Sequence, residues 1–168
     1  MSDNTVSGEL IDDDQVPLTI INSTLARNSI GAAHVIRAGD AITIDDSIIA
    51  EDVAQSIDFA GNGNTSIRHF DYVLTNPLDE TINPGTNLFA PPLFVNPANR
   101  DYHLMPNSPA IDVAPASTGE LKDFDLAPRN VDLPQMGNID GPLDLGAYEL
   151  QSIAACAAPD TVFCNGFN

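Results

Sequence analysis

Acidic side chains dominate the chemistry available to this chain: 24 Asp and Glu stand against 6 Lys and Arg in 168 residues, with 3 His and 2 Cys. Three close carboxylate pairs, Asp45 with Asp46, Asp123 with Asp125 and Asp140 with Asp144, could each supply the acid and base of glycoside cleavage. Adjacent residues of a strand face opposite ways, so Asp45 and Asp46 are not expected to flank one bond, and an Asp-rich surface supplies spaced pairs without any catalytic role. β-Elimination on a uronic acid polymer would need a basic group beside bound calcium. Arg68 with His69 comes nearest to that, and a lone His reads as readily as a packed or surface residue. Calcium itself would find oxygen ligands at Asp123, Asp125, Asp140 and Asp144, without the spacing of an EF-hand loop; turn formation by Asn138 to Asp144 accounts for part of the same set. His34, His69 and His103 fall in separate segments and have no zinc-ligand spacing. No nucleophile elbow is present for a Ser-His-Asp triad. Asn22-Ser23-Thr24 and Asn64-Thr65-Ser66 match the N-glycosylation pattern. The expectation is therefore no catalytic residue in this chain and no required cofactor, with calcium the one ion to consider.

Composition narrows the partners. A net charge of −18 with six scattered basic residues argues against nucleic acid, whose phosphates recruit Lys and Arg. Hydrophobic residues make up 43% of the chain, enough for a core, so the charge does not imply disorder. No run of 18 apolar residues is present to form a membrane-spanning helix. Residues 1–16 read as a polar, acidic lead without a basic start or an apolar stretch, hence without an export signal; this fits either a cytoplasmic protein with a natural start or the tail of a longer exported protein, and the second, a truncation point ahead of the first repeat, is the expectation because that repeat begins almost at once.

The elements that must position these groups follow from an internal repeat. Thr19 to Ala26 (TIINSTLA) aligns without gaps on Thr43 to Ala50 (TIDDSIIA) at an offset of 24, and Gly39 meets Gly63 at the same offset. A poorer third copy follows, with Ile67, Phe70 and Tyr72 expected in the places of Ile44, Ser47 and Ile49. Three short strands at about 3.3 Å per residue plus bends need roughly 22 to 25 residues per coil of a parallel β-helix. Leucine-rich repeats share the length but need a Leu framework that is absent, and the β-branched runs between Gly, Asn and Asp favour strands. Ile20 and Ile44 should then point inward, with Leu25 over Ile49, and Ile21 and Asp45 should point out. Asn22 should stack on Asp46 at the bend. Asp46 would there bond to backbone N–H groups or have its pKa raised.

From about Asn87 the chain becomes proline-rich and irregular. Phe89, Leu93, Phe94, Val95, Tyr102, Leu104 and Ile111 could cover a solenoid end, and Pro91, Pro92, Pro97, Pro106 and Pro109 discourage further strand addition. Asp112 should bond to N–H groups of the following turn, and Arg129 should pair with Asp123, Asp125 or Asp144. At the C-terminus Cys156 and Cys164 bracket a loop that Pro159 and Asp160 could turn. A disulfide is expected there, implying an oxidising compartment; the alternatives are two unconnected thiols or, with no nearby His, a poorly supplied metal site.

Several stretches bear a family resemblance. Pro92, Leu93, Phe94, Pro97, Asp101 to Leu104, Ser108 to Asp112 (SPAID), Asp123, Asp125, Pro128, Arg129, and Asp144 to Glu149 with Tyr148 (D-x-GAYE) are similar in order to the C-terminal segment of bacterial right-handed parallel β-helix proteins of the choice-of-anchor Q group. The two repeats fit that group's T-I-x-N-S-I-I-A coils, so the resemblance covers about Thr19 to Leu150. Pro91 stands where the group more often has an acid, and SPAIDVA replaces the usual SPAIDAG. The final FCNGFN resembles the short ending of many exported proteins of Gram-negative bacteria. What the resemblance implies is an all-β chain with two to three C-terminal coils over 17–86, a cap over 87–150 and a tail over 151–168. The function expected is a non-catalytic, secreted or cell-surface module for adhesion or carbohydrate association. The rival is the end of a polysaccharide lyase or glycoside hydrolase whose site lies upstream. An open first coil would favour self-association.

Overall fold

A computed structural model describes residues 1–13, 16–31, 35–38, 40–50, 57–58, 68–76, 85–116, 118–119 and 121–153. Their regular structure is almost entirely strand. In chain order these are β1 (Thr5–Val6), β2 (Ile11–Asp13), β3 (Leu18–Ile21), β4 (Thr24–Ala26), β5 (Ser29–Ile30), β6 (Ile36–Ala38) and β7 (Ile42–Ala50). They continue as β8 (Ile57–Asp58), β9 (Arg68–Asn76), β10 (Leu88–Phe89), β11 (Phe94–Asn96) and β12 (Asp101–Leu104), with one 3-10 turn at Pro97–Asn99. Cys156 and Cys164 lie outside the described residues.

Parallel pairing predominates. β3 lies beside β7 with Ile20 opposite Ile44, and β4 continues along the same neighbour with Leu25 opposite Ile49, both at the spacing of 24. β9 pairs with the other side of β7, and β10 with β9. β1 pairs with β5, while β2, β6 and β8 form a third parallel set. Residues 1–16, expected as a lead, thus contribute two strands, too short and polar for an alternation pattern to announce them.

The third copy of the repeat needs correction. Phe70, not Ile67, lies opposite Ile44; Val73 lies opposite Ser47 and Thr75 opposite Ile49, a spacing of 26. At this register Phe70 packs against the first core, Val73 and Leu74 are buried, and Asp71 falls on the outer side above Asp45. Core packing selects the register because a one-residue slip would turn every side chain to the wrong face.

The bend between β3 and β4 falls at Asn22 (φ 49), and Asp46 (φ 50) and Tyr72 (φ 54) adopt the same left-handed conformation on the following rungs. Asn and Asp tolerate it. Ser47 reinforces the corner, its Oγ accepting the Ser23 N–H at 3.1 Å and donating to the Asp45 carbonyl at 2.7 Å.

Two cores result. Ile20, Leu25, Ile36, Ile42, Ile44, Ile49 and Val73 share the first; Ile44 is wholly buried, whereas Ile21 is 48% exposed on the outer side. Complete burial of each such Ile contributes about 1.5–3 kcal/mol. The second joins Ala26, Ile48, Ala50 and Leu74 of the strands to Phe94, Tyr102, Leu104, Ile111, Leu143 and Leu145. Segment 87–150 therefore lies along the flank of the strands across three rungs, where an end cover was expected. Within it, β11 and β12 form an antiparallel pair, and Phe94 meets Tyr102 edge-on with centroids 5.1 Å apart. Ser108 turns the chain ahead of Pro109 by donating its Oγ–H to the Pro92 carbonyl at 2.6 Å and accepting the Ala110 N–H at 3.1 Å.

Candidate functional site

Three acids of segment 87–150, Asp123, Asp144 and Glu149, are taken up by backbone donors. Asp144 accepts the N–H groups of Asp112 (2.8 Å) and Leu150 (2.7 Å), and Glu149 accepts those of Val131 (2.8 Å) and Asp144 (3.1 Å). Asp123 takes three, from Asp125, Ala127 and Glu149. An irregular segment has no ladder to satisfy its donors, and these carboxylates replace it. Burial pushes the Asp144 pKa up to about 8, with Glu149 adding to the rise; burial likewise holds Glu149 at about 7 against the opposing pull of the backbone donors and Arg129. Arg129, 6% exposed, corrects a further expectation. Its guanidinium donates to the Gly146 carbonyl at 2.7 Å and the Asp144 carbonyl at 3.5 Å, and its carboxylate partner is Glu149 at 3.9 Å, not Asp123, Asp125 or Asp144. Asp112 departs as well. Burial raises its pKa, and the Leu133 N–H facing it offsets part of the rise, but neither carboxyl oxygen has a well-formed hydrogen bond among the described residues.

Two groups remain outside this network. On the outer side of the main sheet, Thr19, Thr43 and His69 form one row across the rungs, and Ile21, Asp45 and Asp71 the next. His69 Nε2 lies 3.4 Å from Asp45 Oδ1, and the Thr86 hydroxyl donates to Asp71. The Asp45 pKa is raised by burial, with His69 opposing and Asp71 contributing; Asp46 reaches about 6 through burial, reinforced by the neighbouring Asp45 charge. Asp46 thus takes the second of the two courses expected of it. Stacked carboxylates with one proton held longer than usual can bind hydroxylated ligands or a cation, or act as an acid and base pair.

The second group is a cleft of about 280 Å³ lined by His103, Asp125, Tyr148, Glu149 and Gln151 among others. His103 bridges Asp101 (Nδ1, 2.6 Å) and Asp125 (Nε2, 2.7 Å) and lies against the Tyr148 ring at 4.2 Å. Burial opposes its charge, yet the two carboxylates outweigh burial and raise the pKa.

The four calcium candidates are not brought together as one ligand set: Asp123 and Asp144 serve backbone donors, Asp125 holds His103, and Asp140 accepts the Tyr72 hydroxyl at 3.4 Å. Among the described residues no group of three or more His, Cys, Asp or Glu is arranged to hold a metal ion. Sequence reasoning missed Asp71, which setting Phe70 on Ile44 would have placed beside Asp45. Fold and site define a mostly β protein built on parallel sheets with an acidic outer face. No protein-family model matches the chain, and no curated protein or solved structure matches it. No helix among the described residues is long and apolar enough to cross a membrane.

Proposed function

We propose that this chain is the closing part of a right-handed parallel β-helix of the choice-of-anchor Q kind, exported or held at the surface of a Gram-negative bacterium. It binds polysaccharide or another surface ligand without cleaving it. The observation that carries this reading is the outer side of the main sheet, where Asp45 and Asp71 stack on adjacent strands with His69 beside Asp45, while Asp123, Asp144 and Glu149 of the family-like motifs are taken up by backbone donors and Asp101 and Asp125 by His103. Parallel rungs at spacings of 24 and 26 support the solenoid. The test is binding of the whole chain to a panel of neutral and acidic polysaccharides, with Asp45→Asn and Asp71→Asn as variants. Saturable binding weakened by both variants with no chain shortening is expected; no binding across the panel would overturn the reading.

One observation favours a second reading, the end of a lyase or hydrolase: Asp45 and Asp71 stand on adjacent rungs with His69 beside Asp45. Release of unsaturated or shortened products, abolished by Asp45→Asn, would select it.

A further inference from the structure

Segment 87–150 buries more acid than base. Asp112, Asp144 and Glu149 are 0, 1 and 3% exposed, while Arg129 is the only buried basic side chain among the described residues. Asp144 and Glu149 each accept two backbone N–H groups, so their carboxylates have partners. Asp112 has only its main chain engaged: its N–H donates to Asp144 at 2.8 Å, and its carbonyl accepts the Ile139 N–H at 2.8 Å. Both of its carboxylate oxygens are shut off from water, with no well-formed hydrogen bond among the described residues. An ionised carboxylate is costly to bury in that state, so either a positive charge meets it or a proton neutralises it.

The chain around Asp112 supplies oxygen and little else. At φ 51 its backbone turns left-handed, and the loop 131–139 folds against it. That loop is pinned at both ends, the Val131 N–H donating to Glu149 at 2.8 Å and the Ile139 N–H to the Asp112 carbonyl. A bond of 2.8 Å from the Met136 N–H to the Leu133 carbonyl tightens its middle. The Leu133 N–H turns toward the Asp112 carboxyl; burial raises the pKa of that acid most, and the nearby Asp132 charge raises it further. Residues 130–141 contain no Lys, Arg, His or Cys, so the metal donors they offer are carboxylate, amide and main-chain oxygens.

A proton would satisfy one of the two Asp112 oxygens. A water would stand about 2.7–2.8 Å from a carboxylate oxygen, and none reaches these. A calcium ion stands closer, at about 2.3–2.6 Å, and takes both oxygens of one carboxylate. It accepts irregular shells of carboxylate and main-chain carbonyl, whereas magnesium demands near-octahedral geometry and keeps its waters. We propose that Asp112 and Asp132, with main-chain carbonyls of the 131–139 loop, form a calcium site that fastens this loop to the flank of the strands. The two carboxylates are distinct from Asp123, Asp125, Asp140 and Asp144, and main-chain oxygens take the places that a cluster of three acids would fill. Bound there, the ion offsets the excess of buried acid over Arg129.

The probe is calcium chloride, titrated by calorimetry into the full chain after treatment with a chelator and dialysis, in about 0.15 M salt to screen the exposed acids. Saturable binding at one site is expected, weakened roughly tenfold or more by Asp112→Asn and by Asp132→Asn. The melting temperature should rise with calcium in the parent and stay level in both variants. Asn suits the left-handed backbone at φ 51, and melts without calcium establish that the variants fold. Calcium should also shift the amide resonances of Asp132, Leu133 and Ile139 in the unsubstituted chain, which reads the site without any substitution. Absence of saturable binding, variants that bind like the parent, or loop resonances that calcium leaves unmoved would each overturn the proposal and assign a proton to Asp112. Binding lost in Asp45→Asn instead would also overturn it, by giving the ion to the outer face of the sheet. An equal response to magnesium chloride would overturn the choice of calcium.

Discussion

Replacing Arg129 by Met should destabilise the fold by an amount that grows with pH. Met retains an apolar stem in the buried space and deletes the charge. What is lost first is the guanidinium's bond to the Gly146 carbonyl at 2.7 Å, and a charged hydrogen bond of this kind contributes about 1.5–3 kcal/mol. What is lost second depends on Glu149, 3% exposed and 3.9 Å from Arg129. Its pKa, about 7 against an ordinary 4.5, means that the folded chain favours the protonated acid. The resulting penalty is absent below the unfolded value, grows between the two values and is complete above the folded one. Without Arg129 the folded pKa climbs further. Parent and variant therefore carry the same proton at about pH 4.5 and below, and differ most at about pH 8 and above, where an unpaired buried charge costs about 3–5 kcal/mol. Urea unfolding followed by circular dichroism, at about pH 5 and about pH 8.5, should give a loss near 1.5–3 kcal/mol at the lower pH and 3–5 kcal/mol at the higher. Equal losses at both, or losses under about 1 kcal/mol, would refute the assignment of Arg129 as the counter-charge of the cap.

The remaining expectations use the same measurements. Asp46→Asn places a residue suited to φ 50 where Asn22 already stands on the next rung, and removes an acid whose pKa has risen from 3.8 to about 6; it should stabilise by about 1–3 kcal/mol at neutral pH and by little below about pH 4. His103, whose pKa is raised, should titrate above 6.5 by NMR, and the stability lost in His103→Gln should be full below that value and vanish as pH rises through the folded pKa. Gly146→Ala should cost about 1–3 kcal/mol, because φ 92 disfavours a side chain and the added Cβ would meet Thr24 Oγ1 at 2.6 Å; a melt within about 0.5 kcal/mol of the parent would contradict the docking of this loop against β4 and β7.

What could be read from sequence was what repeats locally. Thr19 to Ala26 on Thr43 to Ala50 carries both an alternation of faces and a turn residue at the same place, and Ile20 over Ile44 with Asn22 over Asp46 followed directly. The third rung was misplaced because the connection preceding β9 has a different length, so only packing of Phe70 against the core could set the register and bring Asp71 to Asp45. The cap was legible as motifs and not as contacts. Arg129 finds Glu149, the Ala147 N–H finds the Thr24 hydroxyl, and the Tyr102 hydroxyl finds Asp3, across separations that no period in an irregular chain announces. Nor does a motif reveal what its acids do: Asp123 and Asp144, two of the four calcium candidates, instead hold up the backbone.

The most direct measurement is a set of nuclear Overhauser contacts from Ile44 in the isotopically labelled chain. Stacked rungs require its methyl groups to touch Ile20 on one side and the Phe70 ring on the other, with Thr43 lying between Thr19 and His69. Contacts confined to residues three and four positions away in sequence, or Ile20 and Ile44 reporting two unrelated surroundings, would contradict the stack on which every other conclusion rests.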